Sequence, residues 1–202
     1  MLVIKKNYLA LFAKSFNWAG FFLPRDTYEE CSKLYAFCRV LDDIVDADQK
    51  LDIKKERYEK INDFFKLSDE VKTKFEERYK FDQEAIIVSD MIVLIENKNI
   101  KRVILNDLVE GVGSDLKTKV YLRSVKDLLV YSYRVAGTVG LMMAKILNVN
   151  DTRSLKGAID LGIAMQLTNI ARDVIEDQKM NRQYIKPDFK NIEATLKLAD
   201  MF

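Results

Sequence analysis

Leu41-Asp42-Asp43-Ile44-Val45-Asp46 and Asp173-Val174-Ile175-Glu176-Asp177 are two short acidic runs, each inside a long stretch whose apolar residues recur with helical spacing. An α-helix advances about 3.6 residues per turn, so aspartates four apart share a face. Working outward from the first run, Tyr35, Arg39, Asp42 and Asp46 fall at i, i+4, i+7 and i+11. Around the second, Gln166, Asn169, Asp173 and Asp177 fall at i, i+3, i+7 and i+11. Each set lines one side of its helix. Either run alone could be an ordinary solvated face. Both, however, run through otherwise apolar sequence, where unpaired charge is costly. Two such stripes facing each other make a carboxylate-lined cleft, and carboxylates brought together repel unless cations neutralise them. Oxygen-only donors point to Mg²⁺.

The 202 residues suit one domain with a proper core, and only 7 glycines and 2 prolines interrupt them. Long apolar-periodic segments with few breakers predict an all-α protein. The 33 basic and 31 acidic residues are interspersed, a balance that gives no reason to expect nucleic acid. Histidine is absent. That removes Ser-His-Asp and Cys-His nucleophilic sites, His-containing zinc sites and the Glu-x-x-His ligands of ferritin-like bundles. Cys31 and Cys38 fall on one predicted helix about 10 Å apart, too far for a disulfide, and read as buried thiols in a reducing cytoplasm. No apolar run reaches membrane-spanning length: Asp90 interrupts Ala85 to Ile95, and Lys145 interrupts Ala136 to Val149.

The first amphipathic pattern runs to about Leu23 and stops at Pro24. Asp26-Thr27-Tyr28-Glu29 reads as a capping box opening a helix to about Asp48. Weaker, charge-rich helical patterns follow at 52–66, 69–79 and 83–97, then one at 99–110 ended by Gly111 and Gly113. Ser124 caps a helix to about Asn148, in which Gly137 and Gly140 point to close packing or backbone approach. Asn150 or Asp151 caps the helix of the second acidic run, which lasts to about Met180 and is followed by a loop to Pro187. Ile192, Leu196, Leu198, Ala199 and Phe202 begin a further apolar pattern. Phe16, Phe21 and Phe22 read as core by default, although an apolar ligand needs such walls. Arg39 shares a stripe with Asp42, so it either neutralises that aspartate or binds a ligand phosphate beside it. Arg172 and Glu176 have the spacing of a surface pair. No Gly-x-x-x-x-Gly-Lys-Ser/Thr loop or dinucleotide fingerprint is present, so a phosphate ligand falls to carboxylate-bound Mg²⁺ and arginines, an arrangement suited to diphosphate departure.

Three segments together resemble the squalene/phytoene synthase family: Tyr35-Ala36-Phe37-Cys38-Arg39 with Asp42-Asp43-Ile44-Val45-Asp46; Tyr131-Ser132-Tyr133-Arg134-Val135-Ala136-Gly137-Thr138-Val139-Gly140; and Gln166 to Asp177 continuing through Asn181-Arg182-Gln183-Tyr184-Ile185. The resemblance implies an all-α isoprenoid synthase bundle with a central cavity. It also implies head-to-head condensation of two prenyl diphosphates through a cyclopropylcarbinyl diphosphate, Mg²⁺-dependent, in carotenoid biosynthesis. Carried over by position, Asp42 and Asp46 bind Mg²⁺ on one wall, and Asn169, Asp173 and Asp177 on the other. Ser15, Tyr35, Arg39, Gln166 and Arg172 hold diphosphate or the adjoining substrate, with Phe16 beside them. Arg182 and Tyr184 close from the following loop, and Tyr131 lies near the reacting carbons. The expected form is phytoene synthase-like, a prenyltransferase acting on geranylgeranyl diphosphate without a nicotinamide cofactor.

Phe12-Ala13 and Ile175 depart from the family pattern, where a polar pair and a glycine are common. The family also continues through further C-terminal helices, so 1–202 reads as a single isoprenoid synthase domain, truncated at its C-terminus. The expected location is cytoplasmic, with peripheral membrane contact an option for product release. The rival enzyme is a squalene or dehydrosqualene synthase using farnesyl diphosphate; more distant are chain-elongating prenyl transferases and terpene cyclases. From another class, a non-catalytic helical assembly factor derived from this fold would need no complete ligand set.

Overall fold

The computed structural model describes residues 14–66 and 82–202, with side chains from 17 to 63 and from 82 onward. Parts of the expected first helix, all of the expected helix at 69–79, and the side chains of Ser15 and Phe16 lie outside the described residues. In chain order the elements are α1 (Lys14–Gly20), α2 (Arg25–Asp46), α3 (Leu51–Lys66), α4 (Gln83–Asn97), α5 (Arg102–Gly113), β1 (Val120–Tyr121) and α6 (Val125–Ser132). A π-helical turn (Tyr133–Gly137) follows, then α7 (Thr138–Ile146), α8 (Thr152–Arg172), α9 (Val174–Lys179), β2 (Arg182–Gln183) and α10 (Phe189–Ala199).

Helix α2 organises the larger core. Leu34, Phe37, Leu41 and Ile44 recur on one face and are all fully buried, among Met91 and Ile95 of α4, Leu105 and Leu108 of α5, and Met142 and Ile146 of α7. Each such side chain contributes about 1.5–3 kcal/mol of burial. A smaller core joins Leu128 and Tyr131 of α6 to Ile163, Leu167 and Ile170 of α8, with Tyr184 and Ala199. Val135, in the π-helical turn, packs against both clusters. The first acidic stripe therefore lies on α2 beside its buried face, and the second on α8 beside the smaller core.

Local chemistry explains several helix starts. Ser124 Oγ accepts from the Asp127 amide at 3.1 Å, and Asp151, rather than Asn150, accepts from the Ser154 amide at 2.8 Å. Asp188 caps α10 in the same way. The capping box at Asp26 does not form: Pro24, with φ −54°, stands at the N-cap position without a side-chain cap, so the helix begins at Arg25 and Asp26 sits in its first turn.

Other expectations also change. Gly111 lies inside α5, which runs on past the expected end at 110 and stops with Gly113 as its last residue. The helix expected from 124 to 148 widens into the π-helical turn, and the one expected to reach Met180 breaks at Asp173, whose φ and ψ are −100° and 14°. Across that break the hydrogen bonds Asp173 N–H to Asn169 and Asp177 N–H to Asp173 persist, at 2.8 and 2.9 Å, which keeps the acidic stripe in line. Phe21 and Phe22 are not core: they are 84% and 73% exposed. Of the last apolar pattern, Ala199 is buried and Leu198 packs on the smaller core, whereas Leu196 and Phe202 are exposed.

The expected loop after Met180 contains β2. Asn181 turns the chain with φ 60°, a conformation asparagine tolerates. The following residues pair in parallel with β1, Val120 opposite Arg182 and Tyr121 opposite Gln183. This short ladder fixes where Arg182 and Tyr184 go. Among the described residues, no helix is long and apolar enough to cross a membrane.

Candidate active site

A cleft of about 690 Å³ lies between the two cores. Tyr35, Arg39, Asp42 and Asp46 line it from α2; Gln166, Asn169, Arg172, Asp173 and Asp177 line it from α8 and the helical turn beyond. Tyr131, Arg182 and Tyr184 complete the set, so every sequence-selected candidate with a described side chain reaches the same cavity. Val45, Leu108, Val112, Val135 and Ile170 supply apolar lining.

Arginines already engage several carboxylates. Arg182, whose side chain is 11% exposed, reaches across from β2 to Asp46 at 2.7 Å. Burial opposes its charge, but Tyr184, Asp115 and Asp46 outweigh that and hold its pKa above the usual value. Arg172 donates through Nε and Nη2 to both oxygens of Asp173, at 2.6 and 2.5 Å, and holds that carboxyl below the usual range. The surface pair expected with Glu176 is thus replaced by one with Asp173. Arg39 forms its ion pair with Asp43, at 2.7 Å, rather than with Asp42. Both partners are about two-fifths exposed, at 40% and 44%, so that pair contributes little to stability.

The remaining carboxylates are under-neutralised. Water reaches Asp42 through the cleft, yet protein surrounds most of it; burial first, and then Asp46, push its pKa up to about 6 against the pull of Arg39 and Arg182. Asp177 is also pushed up to about 6, by burial first and then by Asp173, Asp115 and Asp46, with Arg182 opposing. Cys38 lines the same wall, but burial raises its thiol pKa and leaves it protonated and inert.

This donor set fits a hard divalent cation: carboxylate and amide oxygens on two walls, two of the carboxylates resisting ionisation because they are buried beside other carboxylates. Among the described residues no three His, Cys, Asp or Glu side chains stand close enough to cage an ion by themselves. Mg²⁺ is commonly held by one or two carboxylates with water and substrate phosphates completing its shell, so the arrangement suits ions that arrive with a phosphate ligand.

Asp115 escaped the sequence reading. It follows α5 by two residues, lines the cleft, and accepts hydrogen bonds through Oδ2 from Tyr131 at 2.7 Å and Tyr184 at 2.8 Å. A single aspartate after a glycine-containing segment reads as an ordinary turn residue. The only available hint was its position between two motifs that carried the resemblance.

Comparison with known proteins places this architecture. Residues 9–188 match the sequence model of the family described as Squalene/phytoene synthase. The chain is 36% identical over 186 residues to a 15-cis-phytoene synthase of Paracoccus sp. (strain N81106 / MBIC 01143), covering 88% of this chain and 57% of the relative. It is 35% identical over 174 residues to a 15-cis-phytoene synthase of Enterobacter agglomerans, covering 86% and 58%. The chain thus spans a little over half the length of these curated relatives. Among solved structures, a dehydrosqualene synthase in complex with ligand superposes with a TM-score of 0.68 at 26% identity, covering 96% of this chain and 71% of that one. A squalene synthase from Alicyclobacillus acidocaldarius, 22% identical with a TM-score of 0.59 and covering 85% and 60%, shares the fold. The sequence match takes in both acidic walls and the middle motif between them, and the chain belongs to the squalene/phytoene synthase family.

Proposed function

We propose that this protein joins two molecules of geranylgeranyl diphosphate head to head to form phytoene, through a cyclopropylcarbinyl diphosphate. We read residues 1–202 as belonging to one isoprenoid synthase domain working in the cytoplasm, with peripheral membrane contact for release of the apolar product. The observation that carries the reaction class is the meeting of both acidic stripes and three arginines in one cleft with apolar lining. The relatives named phytoene synthase, at 35–36% identity, support the C40 product. The similarity to a dehydrosqualene synthase fold keeps a C30 product as the second reading.

In this reading Asp42, Asp46, Asn169, Asp173 and Asp177 hold Mg²⁺. When bound, the metal supplies positive charge that stabilises a departing diphosphate. Arg39, Arg172 and Arg182 bind diphosphate oxygens, with Tyr35, Gln166, Ser15 and Phe16 positioning the substrate beside them. Arg182 and Arg172 must then exchange their present carboxylates for phosphate. The apolar residues exclude water from the allylic cations, and Tyr131 lies beside the reacting carbons. Supplying geranylgeranyl or farnesyl diphosphate with Mg²⁺, with and without NADPH, tests the proposal by the hydrocarbon formed. Phytoene in the absence of NADPH is expected; a C30 product or a strict NADPH requirement overturns the assignment.

The raised carboxylates give a second test. Folding favours the neutral forms of Asp42 and Asp177, so their stabilising contribution is complete below about pH 4 and is lost as pH rises through about 6. Mg²⁺ requires the ionised forms. Its thermal stabilisation should therefore be weak at pH 5 and grow towards pH 7.5, reaching about 2.7 kcal/mol at a hundredfold excess over Kd. Equal stabilisation at both pH values would exclude these two side chains as ligands.

A further inference from the structure

We propose that Asp115 is the terminal proton acceptor of the reaction, working through Tyr131 and assisted by Tyr184. The proposal rests on the head-to-head reading and assigns a step that reading leaves open: where the proton lost by the last carbocation goes.

The argument is a count of protons. Asp115 Oδ2, Tyr131 Oη and Tyr184 Oη form a triangle with edges of 2.7, 2.8 and 3.0 Å, each short enough for a hydrogen bond. With Asp115 ionised, the two phenols supply two protons for three edges. If both phenols donate to Asp115, the contact between the two phenol oxygens has no proton in it. One further proton closes the ring, each oxygen then donating once and accepting once. The cluster is therefore short of one proton. The tyrosine rings are stacked with centroids 4.7 Å apart, which holds the triangle rigid.

The surroundings favour uptake of that proton. Asp115 Oδ1 is shielded from solvent and has no hydrogen-bond partner among the described residues, so Oδ1 does little to hold the carboxylate charged. Burial above all raises the pKa of Asp115, with Asp46 adding to it, while the two tyrosine hydroxyls and Arg182 oppose. Arg182 pulls the other way and favours the ionised form, which is the one that can act as a base. The charged or titratable groups whose influence reaches the cluster are Asp46, Tyr58, Tyr131, Asp177, Arg182 and Tyr184.

The step balances. A C–H bond next to the final cation breaks and its electron pair forms the new C=C bond. The proton passes to the Tyr131 oxygen, whose own proton moves to Asp115 Oδ2. A carbocation and a carboxylate become an alkene and a carboxylic acid. All three members line the cleft, and in this step Tyr131 meets the carbon chain and is restored.

Asp115→Asn tests this, because the amide keeps the shape and an acceptor oxygen but takes up no proton at this pH. Consumption of geranylgeranyl diphosphate and formation of phytoene are measured together. Proton transfer of this kind contributes about 10²–10⁴-fold. Phytoene should accordingly fall by about 100-fold or more while substrate consumption falls by less than about tenfold. The missing product should appear as cyclopropylcarbinyl diphosphate and as hydroxylated C40 compounds from water capture. Tyr131→Phe should shift the partition in the same direction. A merely structural role would lower both half-reactions by the same factor, and that result, or unchanged phytoene, overturns the assignment and leaves the departing diphosphate as the base. If the unaltered protein makes no head-to-head hydrocarbon, the functional reading fails and the role of Asp115 with it. If it makes a C30 polyene, the same partition decides the role.

Discussion

Gly140→Ala should lower stability by about 3 kcal/mol, whereas Gly157→Ala should raise it by up to about 1 kcal/mol. A Cβ on Gly140 of α7 would stand 2.1 Å from the carbonyl oxygen of Ala158 on α8, closer than any real contact permits. The obstacle is backbone, so no rotamer change relieves it and the two helices must separate. Gly162 meets Ala136 in the same way, at 2.4 Å, so the crossing is tight at two successive points. On Gly157 nothing lies within 4 Å, and alanine there gains helix propensity without meeting a neighbour. Thermal or denaturant unfolding of the two variants checks the pair. For a chain of this size the Gly140 change corresponds to roughly 6–12 °C in Tm. Equal and small effects would mean that α7 and α8 are not held at this distance. Because α8 carries the second acidic stripe, the Gly140 change should also weaken Mg²⁺ binding although it touches no cleft residue.

Asp42→Asn should remove turnover by about 10³-fold and at the same time raise the melting temperature of the metal-free protein at neutral pH. The two signs have one cause. Burial and the neighbouring Asp46 make the Asp42 charge unfavourable in the folded chain, and asparagine removes that charge while keeping the shape. The unfavourable charge is also what makes the cleft attract Mg²⁺. Asp173→Asn should lose activity comparably without the stability gain, since Arg172 already holds Asp173 in its ionised form. Melting curves without metal, paired with product formation, separate the effects. A destabilised Asp42→Asn would contradict the electrostatic description, and full activity in both variants would remove these aspartates from the metal-binding role.

The outcome at particular residues shows which signals carry. Periodicity was enough to put Asp42 and Asp46 on one helix face and Asn169, Asp173 and Asp177 on another, because a helix turns spacing into a shared face whatever surrounds it; that the two faces line one cavity was decided by packing. Caps at Ser124 and Asp151 were legible for a related reason: the bond spans three residues and is local. Arg39 was harder. Spacing places it within reach of both Asp42 and Asp43, and only the packing of α2 determines which carboxylate it meets. Phe21 and Phe22 failed the default of apolar residues inside, since hydrophobicity does not say where the neighbouring elements run.

Local interactions, whose partners lie within a helical turn or two, belonged to the sequence: the all-α class, most helix positions, the two acidic faces and the family resemblance. Everything requiring two distant segments to meet waited for the tertiary structure. Two-residue strands have no period to detect, yet their pairing sends Arg182 across to Asp46, 136 residues away in the chain. The π-helical turn arises where α5 and α8 close on the same backbone, and Asp115 joins Tyr131 and Tyr184 only because α5, α6 and β2 end beside one another. Long-range contacts of this kind depend on how whole helices pack, a property that neither composition nor spacing encodes one residue at a time.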